Sequence, residues 1–499
     1  QTLQVYGDFL HMPDKCLGSI LALNDSLILV STMSCSTYYG THQTLPVDST
    51  YLINTYSGQI IDQYPFVLPN RSGWAGVLNS NNKKVETLAV NGNHVFFYGL
   101  PTSASGNSYT VLYQGQLIKF NMTSLSIEWT IDMNIAYPQT GPCMNGAWLE
   151  LAATDNFLYV YHPGGVFKNI NSTVDVPLDQ GIVKYSFDGY ILSYIKIDRD
   201  CSCVKPSNPH IASTADNIVV VNNGCGLILD DSFEVSSNSV SNPNMFLVLD
   251  ENFNYIDHYV TGGAGIKNIE IHQNKIEVTG KATNLELPGN ITFNNSTVNN
   301  FLFDIDLQSG QVSTPCFWVG SGGAGGSNNG YTSFIYHQQH SYFSHIGGNS
   351  HFFALPFQGS MLFNQPYTSL GGTDYIFGLM DSQTNCTLDE SSIIQIGDLG
   401  ETWPKYSSSE NLAYVAFYTN NQFFKDVTYS SDGIYIFAFG SNGFLSAQQL
   451  AAFCTISAFS ISSDTIVAEN TPFNLVSSSS NPSANFQWQL STGNGWSDV

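Results

Sequence analysis

Eleven histidines and 39 acidic residues could supply the bases and acids of a hydrolase, so the first question is whether spacing gathers them. The tightest group is His337, His340, His345 and His351, in an aromatic segment. Such imidazoles could surround a metal, but they lack the helical His-Glu-x-x-His arrangement that sets two ligands on one face. Histidines in solvent-facing loops are the plainer reading, and the identity of any metal stays unknown at this level. Asp230-Asp231 and Asp389-Glu390 are carboxylate pairs of the kind a glycosidase uses, yet that chemistry requires a set separation across a cleft. Solvated turns explain them equally simply. Asp198-Arg199-Asp200 and Asp304-Ile305-Asp306 could contribute to a structural Ca²⁺ without the oxygen cadence of a dedicated loop. No Gly-x-Ser-x-Gly elbow occurs. The glycine runs at 262–265 and 320–326 precede neither a helix nor a Gly-Lys-Ser/Thr element, so they are not phosphate cradles. These patterns assign no catalytic residue and no cofactor, and a non-enzymatic role is expected.

Composition narrows the partners. Against the 39 acidic residues stand 15 Lys and Arg, a formal net charge of −24 over 499 residues. Nucleic-acid binding needs basic clusters that displace counterions from phosphates. The densest here, Lys83-Lys84 and Lys196 with Arg199, are too sparse. The same shortage disfavours an anionic membrane surface. No apolar run approaches the length of about 18 residues that a spanning helix needs, so no membrane insertion is expected. Charged residues make up 11% of the chain but hydrophobic ones 42%, which excludes disorder and leaves Ser, Thr, Asn, Gln and Gly to form the polar surface. The chain opens at Gln1 on an alternating segment, as a mature exported protein would.

Nine dispersed cysteines form no zinc pattern. In an oxidising compartment they suit a few structural disulfides, with Cys16–Cys35 and either Cys201 or Cys203 with Cys225 as local candidates. Asn-x-Ser/Thr sites at Asn24, Asn70, Asn121, Asn171, Asn290, Asn294, Asn295 and Asn385 are candidate glycosylation positions, several in expected turns.

The elements that must position any site are short strands in pairs. Apolar segments meet across two- to four-residue polar turns at 17–23/26–33, 85–90/94–100, 148–153/157–161, 210–214/218–221 and 266–271/275–278. A weaker case spans 333–343 and a last one 427–430/434–439. Asn-Gly and Asp-Gly in such turns supply positive φ. Between these pairs lies a second hairpin type, turning at Ser57-Gly58-Gln59, Asp188-Gly189-Tyr190, Asp250-Glu251-Asn252 and Gln308-Ser309-Gly310. Two hairpins per period make the four-stranded blade of a β-propeller. Six or seven blades fit residues 1–453, seven preferred, with residues 2–6 available to complete the last blade. Parallel solenoids or jelly-roll sandwiches remain open. Helical turns are expected only at 389–396 and 447–452. After Cys454 the period is lost. Residues 454–499 read as the start of an immunoglobulin-like β-sandwich, too short to be complete, so the protein is expected to continue beyond Val499.

In residues 472–499, Asn481-Pro482, Phe486-Gln487-Trp488-Gln489 and Ser491-Thr492-Gly493-Asn494-Gly495-Trp496 resemble the immunoglobulin-like tandem repeats of very large surface proteins of Bacteroidota. Gly371-Gly372-Thr373-Asp374-Tyr375 is similar to the opening of bacterial propeller repeats. The resemblance implies type IX secretion, a cell-surface location and a propeller head on a long adhesin of gliding or attachment machinery. Its partners would be extracellular glycans, surface proteins or secretion-system components. A secreted adhesin or display module binding glycans or surface polymers is therefore the leading expectation. The alternatives are an extracellular carbohydrate-active enzyme on a propeller scaffold and a structural subunit of a surface filament.

Overall fold

The computed structural model describes residues 4–6, 9–33, 47–68, 88–90, 94–101, 114–135, 150–199, 210–235, 243–319 and 342–449, with short gaps inside the later spans, and 489–491 and 496–498. The described elements form a seven-bladed β-propeller of antiparallel sheets. Each blade is led by an innermost strand at the axis: Cys16–Ala22, Leu88–Val90, Glu150–Ala153, His210–Ser213, residues 266–272 of the long strand Tyr255–His272, Tyr342–His345 and Lys405–Ser408. That long strand is the outermost of blade 4 and, after a bend through Gly262 and Gly263, the innermost of blade 5.

Apolar residues occupy both faces of these strands, and the packing explains why. In blade 3, Leu158 and Val160 pack on blade 2, whereas Tyr159 and Tyr161 point the other way into blade 4. A strand buried on both faces reads as a continuous apolar run, not an alternating one. Seven apolar cores result, one in each seam between neighbouring blades.

The third strand of several blades ends in the same device. Asn54, Asn121, Asp250 and Asp306 each accept backbone N–H bonds from residues two to four further on. The turn then passes through positive φ at Gly58, Leu125, Phe253 and Gly310. Such side-chain-capped turns favour Asn, Asp and Gly for physical reasons, and they account for the second hairpin type.

Blade 7 is completed by the N-terminus, but not by the segment expected. Phe9–Pro13 pairs with Gly433–Gly440, and Gln4–Tyr6 lies outside it on the edge. Phe9 faces the core between blades 6 and 7, while Leu10 and Met12 face the core between blades 7 and 1. Only a segment apolar on both faces fits there. The 427–430/434–439 pairing is likewise corrected. Val427–Tyr429 pairs with Gln422–Phe424 on blade 6, and Gly433–Gly440 sits between Ala413–Thr419 and Phe9–Pro13. The helical turn expected at 389–396 is a strand, Thr387–Gly397, because pairing with Asp374–Asp381 buries Ile394 and Ile396. Beyond residue 449 the described elements are the hairpin strands Gln489–Ser491 and Trp496–Asp498. No separate immunoglobulin-like sandwich is described.

Cys16 and Cys316 are each disulfide-bonded; no disulfide joins two described residues, and the expected partners Cys35, Cys201, Cys203 and Cys225 lie outside them. Among the described residues the blades are held by their apolar seams.

Phe9 is fully buried and meets Phe417, Tyr435 and Phe437 edge-on at 5.4–5.6 Å between ring centroids. Replacing it removes the aromatic anchor of ring closure. Phe9→Ala is expected to lower unfolding stability by about 3–5 kcal/mol, read from the urea midpoint at unchanged m-value.

Candidate functional site

At the turn-bearing end of the seam between blades 5 and 6, the apolar core gives way to ionisable residues. Their placement follows from strand register. Glu270 lies opposite Glu277, and Glu277 opposite Asp304; His272 lies opposite Lys275, and Lys275 opposite Asp306. Residues two apart along a strand share a face. These six side chains therefore stand on the blade 5 face that meets blade 6. From blade 6, the directly paired His345 and His351 project towards them.

His351 donates from Nε2 to Glu277 Oε2 at 2.7 Å, with the histidine 1% exposed and the glutamate 9%. His345 is half-buried and stacks on His272, ring centroids 3.7 Å apart, and meets His351 edge-on at 5.3 Å. Glu270 Oε2 accepts the backbone N–H of His345 at 3.2 Å, which fixes the innermost strand of blade 6 against blade 5. The cluster thus has a buried dyad, His351–Glu277, and an outer histidine pair that reaches solvent.

Electrostatics divide these groups. Burial holds the Asp304 carboxyl above the usual range, and the neighbouring Glu277 charge adds to that shift. Burial alone would lower His351, but the hydrogen bond and charge of Glu277 outweigh it and raise its pKa. His272 is shifted down, first by burial and then by the charge of His345. A carboxyl shifted up, an imidazole shifted up by its carboxylate partner and an imidazole shifted down lie in one seam. Pairs of groups with pKa values pushed apart are suited to general acid–base chemistry.

The residues singled out by sequence are distributed unevenly. His345 and His351 meet in this seam, whereas His337 and His340 lie outside the described residues. Among the described residues, no three His, Cys, Asp or Glu are arranged to hold a metal. Asp306 caps its turn through Gln308 N and Ser309 N, and Asp230 accepts from Lys196 N. Asp389 accepts from the Ser391 N–H and hydroxyl. Asn24 and Asn171 are exposed, Asn171 with φ of 54°, and Asn121 closes the blade 2 turn. Asn294 and Asn295 lie on the strand Ile291–Asp306. Asn70, Asn290 and Asn385 are outside the described residues. Asp304 is weighed in the sequence only with Asp306 for Ca²⁺, and Glu270, His272 and Glu277 go unassigned. Their signal was present: four ionisable residues at period two on strands expected to be covered on both faces.

No family model and no curated protein sequence matches the chain. Solved structures do. A polysaccharide lyase of family PL25, an ulvan lyase, is 11% identical with a TM-score of 0.43, over 87% of this chain and 96% of that one. The NanB sialidase from Streptococcus pneumoniae is 9% identical with a TM-score of 0.32, over 89% and 70%. The phage phi92 endosialidase is 8% identical with a TM-score of 0.32, over 88% and 68%. At these values the likeness concerns architecture alone. The expectation of a non-enzymatic chain is withdrawn, because blades 5 and 6 gather a cluster of ionisable side chains that no local motif announced.

The dyad has a measurable consequence. His351 has a raised folded-state pKa, so its contribution to stability is complete below the unfolded value of about 6.5 and is lost as pH rises through the folded value. Glu277→Gln is expected to lower the His351 pKa, followed by imidazole NMR titration, and to flatten that part of the stability profile above about pH 6.5.

Proposed function

We propose that this chain is an extracellular carbohydrate-active enzyme whose acid–base centre is the seam between blades 5 and 6. The observation that carries the reading is the gathering on one blade face of Asp304, shifted up, and a partly exposed His272, shifted down and stacked on His345 at 3.7 Å, behind the buried His351–Glu277 dyad. Cleavage of a glycosidic bond needs a proton delivered to the leaving oxygen and another removed from water or from the sugar. Asp304 is the donor in this reading and His272 the acceptor. The hydrogen bond from His351 to Glu277 ties that carboxylate to blade 6, and the Glu277 charge adds to the burial that shifts Asp304 up. Glu270 positions His345 over His272. The net charge of −24 opposes approach of polyanionic polymers, so neutral glycans are the expected substrates.

The second reading is the adhesive or display module. It is favoured by Tyr190 and Leu192 of blade 3 and Tyr255 and Ile256 of blade 4, exposed at the start of the outermost strands. Such side chains suit contact with sugar rings. A Bacteroidota surface protein exported by a type IX system belongs with this reading, and it rests on the resemblance within residues 472–499.

The test is incubation of the purified chain with a panel of neutral and anionic polysaccharides, followed by reducing-end release. Cleavage of a neutral glycan is expected, with His272→Asn and Asp304→Asn each reducing the rate by about 100-fold at unchanged circular dichroism. Undiminished cleavage by both variants would refute this site. Binding without cleavage of any polymer would favour the adhesive module.

A further inference from the structure

The innermost strand of each blade turns one backbone edge to the axis, and its N–H groups need acceptors. Three seams supply them by one rule: a side chain of one blade accepts an edge N–H of the next. Glu150 Oε2 of blade 3 accepts Ile211 N of blade 4 at 2.8 Å. Glu270 Oε2 of blade 5 accepts His345 N of blade 6 at 3.2 Å. Ser407 Oγ of blade 7 accepts Ala22 N of blade 1 at 2.9 Å.

Turn geometry aligns the blades. The first turn is closed by Thr154 N to Phe157 O in blade 3 and by Ser409 N to Leu412 O in blade 7. Glu150 and Lys405 each stand four residues before that turn, so they occupy equivalent positions. Lys405 shares a face with Ser407, two residues on. Ile20 shares an edge with Ala22 in the same way. Lys405 therefore stands to Ile20 N as Glu150 stands to Ile211 N, with its charge inverted. A lysine cannot accept that N–H, and two donors face each other. The Lys405 Nζ is buried and has no hydrogen-bond partner. The strand that it faces, Cys16–Ala22, carries no carboxylate. Ile20, Ala22, Tyr414 and Ala416 belong to the apolar core of the same seam.

We propose that Lys405 Nζ and the Ile20 N–H bind a compact monovalent anion, a halide or formate-sized carboxylate, in the axial seam between blades 7 and 1. The anion takes the place that the Glu150 carboxylate fills between blades 3 and 4. Without it, burial lowers the Lys405 amine to about 7, the response of an ammonium with no counter-charge.

Thermal unfolding of the full chain in sodium gluconate, formate and bromide at one ionic strength tests this, for the wild type, Lys405→Met and Lys405→Glu. The wild type is expected to melt about 1–2 °C higher in formate and bromide than in gluconate, while both variants ignore the anion. Lys405→Glu should fold as the wild type does, its carboxylate accepting the Ile20 N–H. Equal melting of the wild type in all three salts overturns the proposal, as does the same anion response in either variant. Should both variants fail to fold, a bromide-soaked wild-type crystal decides: an anomalous peak within hydrogen-bond distance of Lys405 Nζ supports the site, and its absence overturns it.

Discussion

A propeller blade here has two apolar faces and no interior of its own, so it is stable only between two neighbours. That constraint forces the chain into a ring and governs both its closure and its axis. Seven seams need seven blades, and the last seam can form only when the first described strands return to the end of the ring. Phe9–Pro13 does this by inserting between blade 7 and solvent with apolar residues on alternate faces. The ring thereby joins residues nearly 400 positions apart, as in the Asp25 carboxylate that accepts from Ser409 Oγ and Asn411 Nδ2. Closure is a long-range event built from local hairpins.

The same ring creates an electrostatic problem at its axis. Innermost strands have no partner on one side, and their N–H groups must be satisfied by side chains that reach across a seam. Carboxylates serve well because they accept strongly, but they must be buried to do so. Glu150 is 2% exposed, and the 1% exposed His210 lies 3.7 Å from its second carboxylate oxygen. Between blades 5 and 6 the same solution is enlarged: Glu270 caps an edge N–H, Glu277 holds His351, and burial with the Glu277 charge shifts the Asp304 carboxyl up. An arrangement required to seal the axis is also an arrangement of perturbed acids and bases.

Much of the architecture was legible because its signals are local. Polar turns between apolar runs located the inner hairpins of blades 1 to 5, and the capped turns at Asn54, Asp250 and Asp306 marked the outer ones. Blade 7 was harder, since its strands come from both ends of the chain and no local pattern announces a pairing between Pro13 and Gly433. At 389–396, local preference pointed to a helical turn and tertiary pairing overrode it. The site was legible only in part. His345 and His351 could be picked out by proximity, but their partners lie some 75 residues earlier, on a strand pair whose register decides which carboxylate they meet. Register across a seam is not written in either strand alone.

This separation explains why composition misled on chemistry. A motif such as His-Glu-x-x-His works because one helix fixes both spacing and direction. In a propeller, two residues of a site belong to different blades, and the distance between them is set by seam packing, not by sequence interval. A search for local constellations therefore pairs Asp304 only with its turn-capping neighbour Asp306 and misses its cross-strand partner Glu277. The productive signal is an interruption: charges at inward period-two positions on strands that otherwise bury apolar side chains on both faces. Glu270, His272 and Glu277 break the apolar pattern of residues 266–278, where a purely structural blade would carry Val or Ile. Burying Glu277 is costly, and its hydrogen bond to His351 across the seam offsets that cost. The break in pattern, not any motif, is what locates the chemistry.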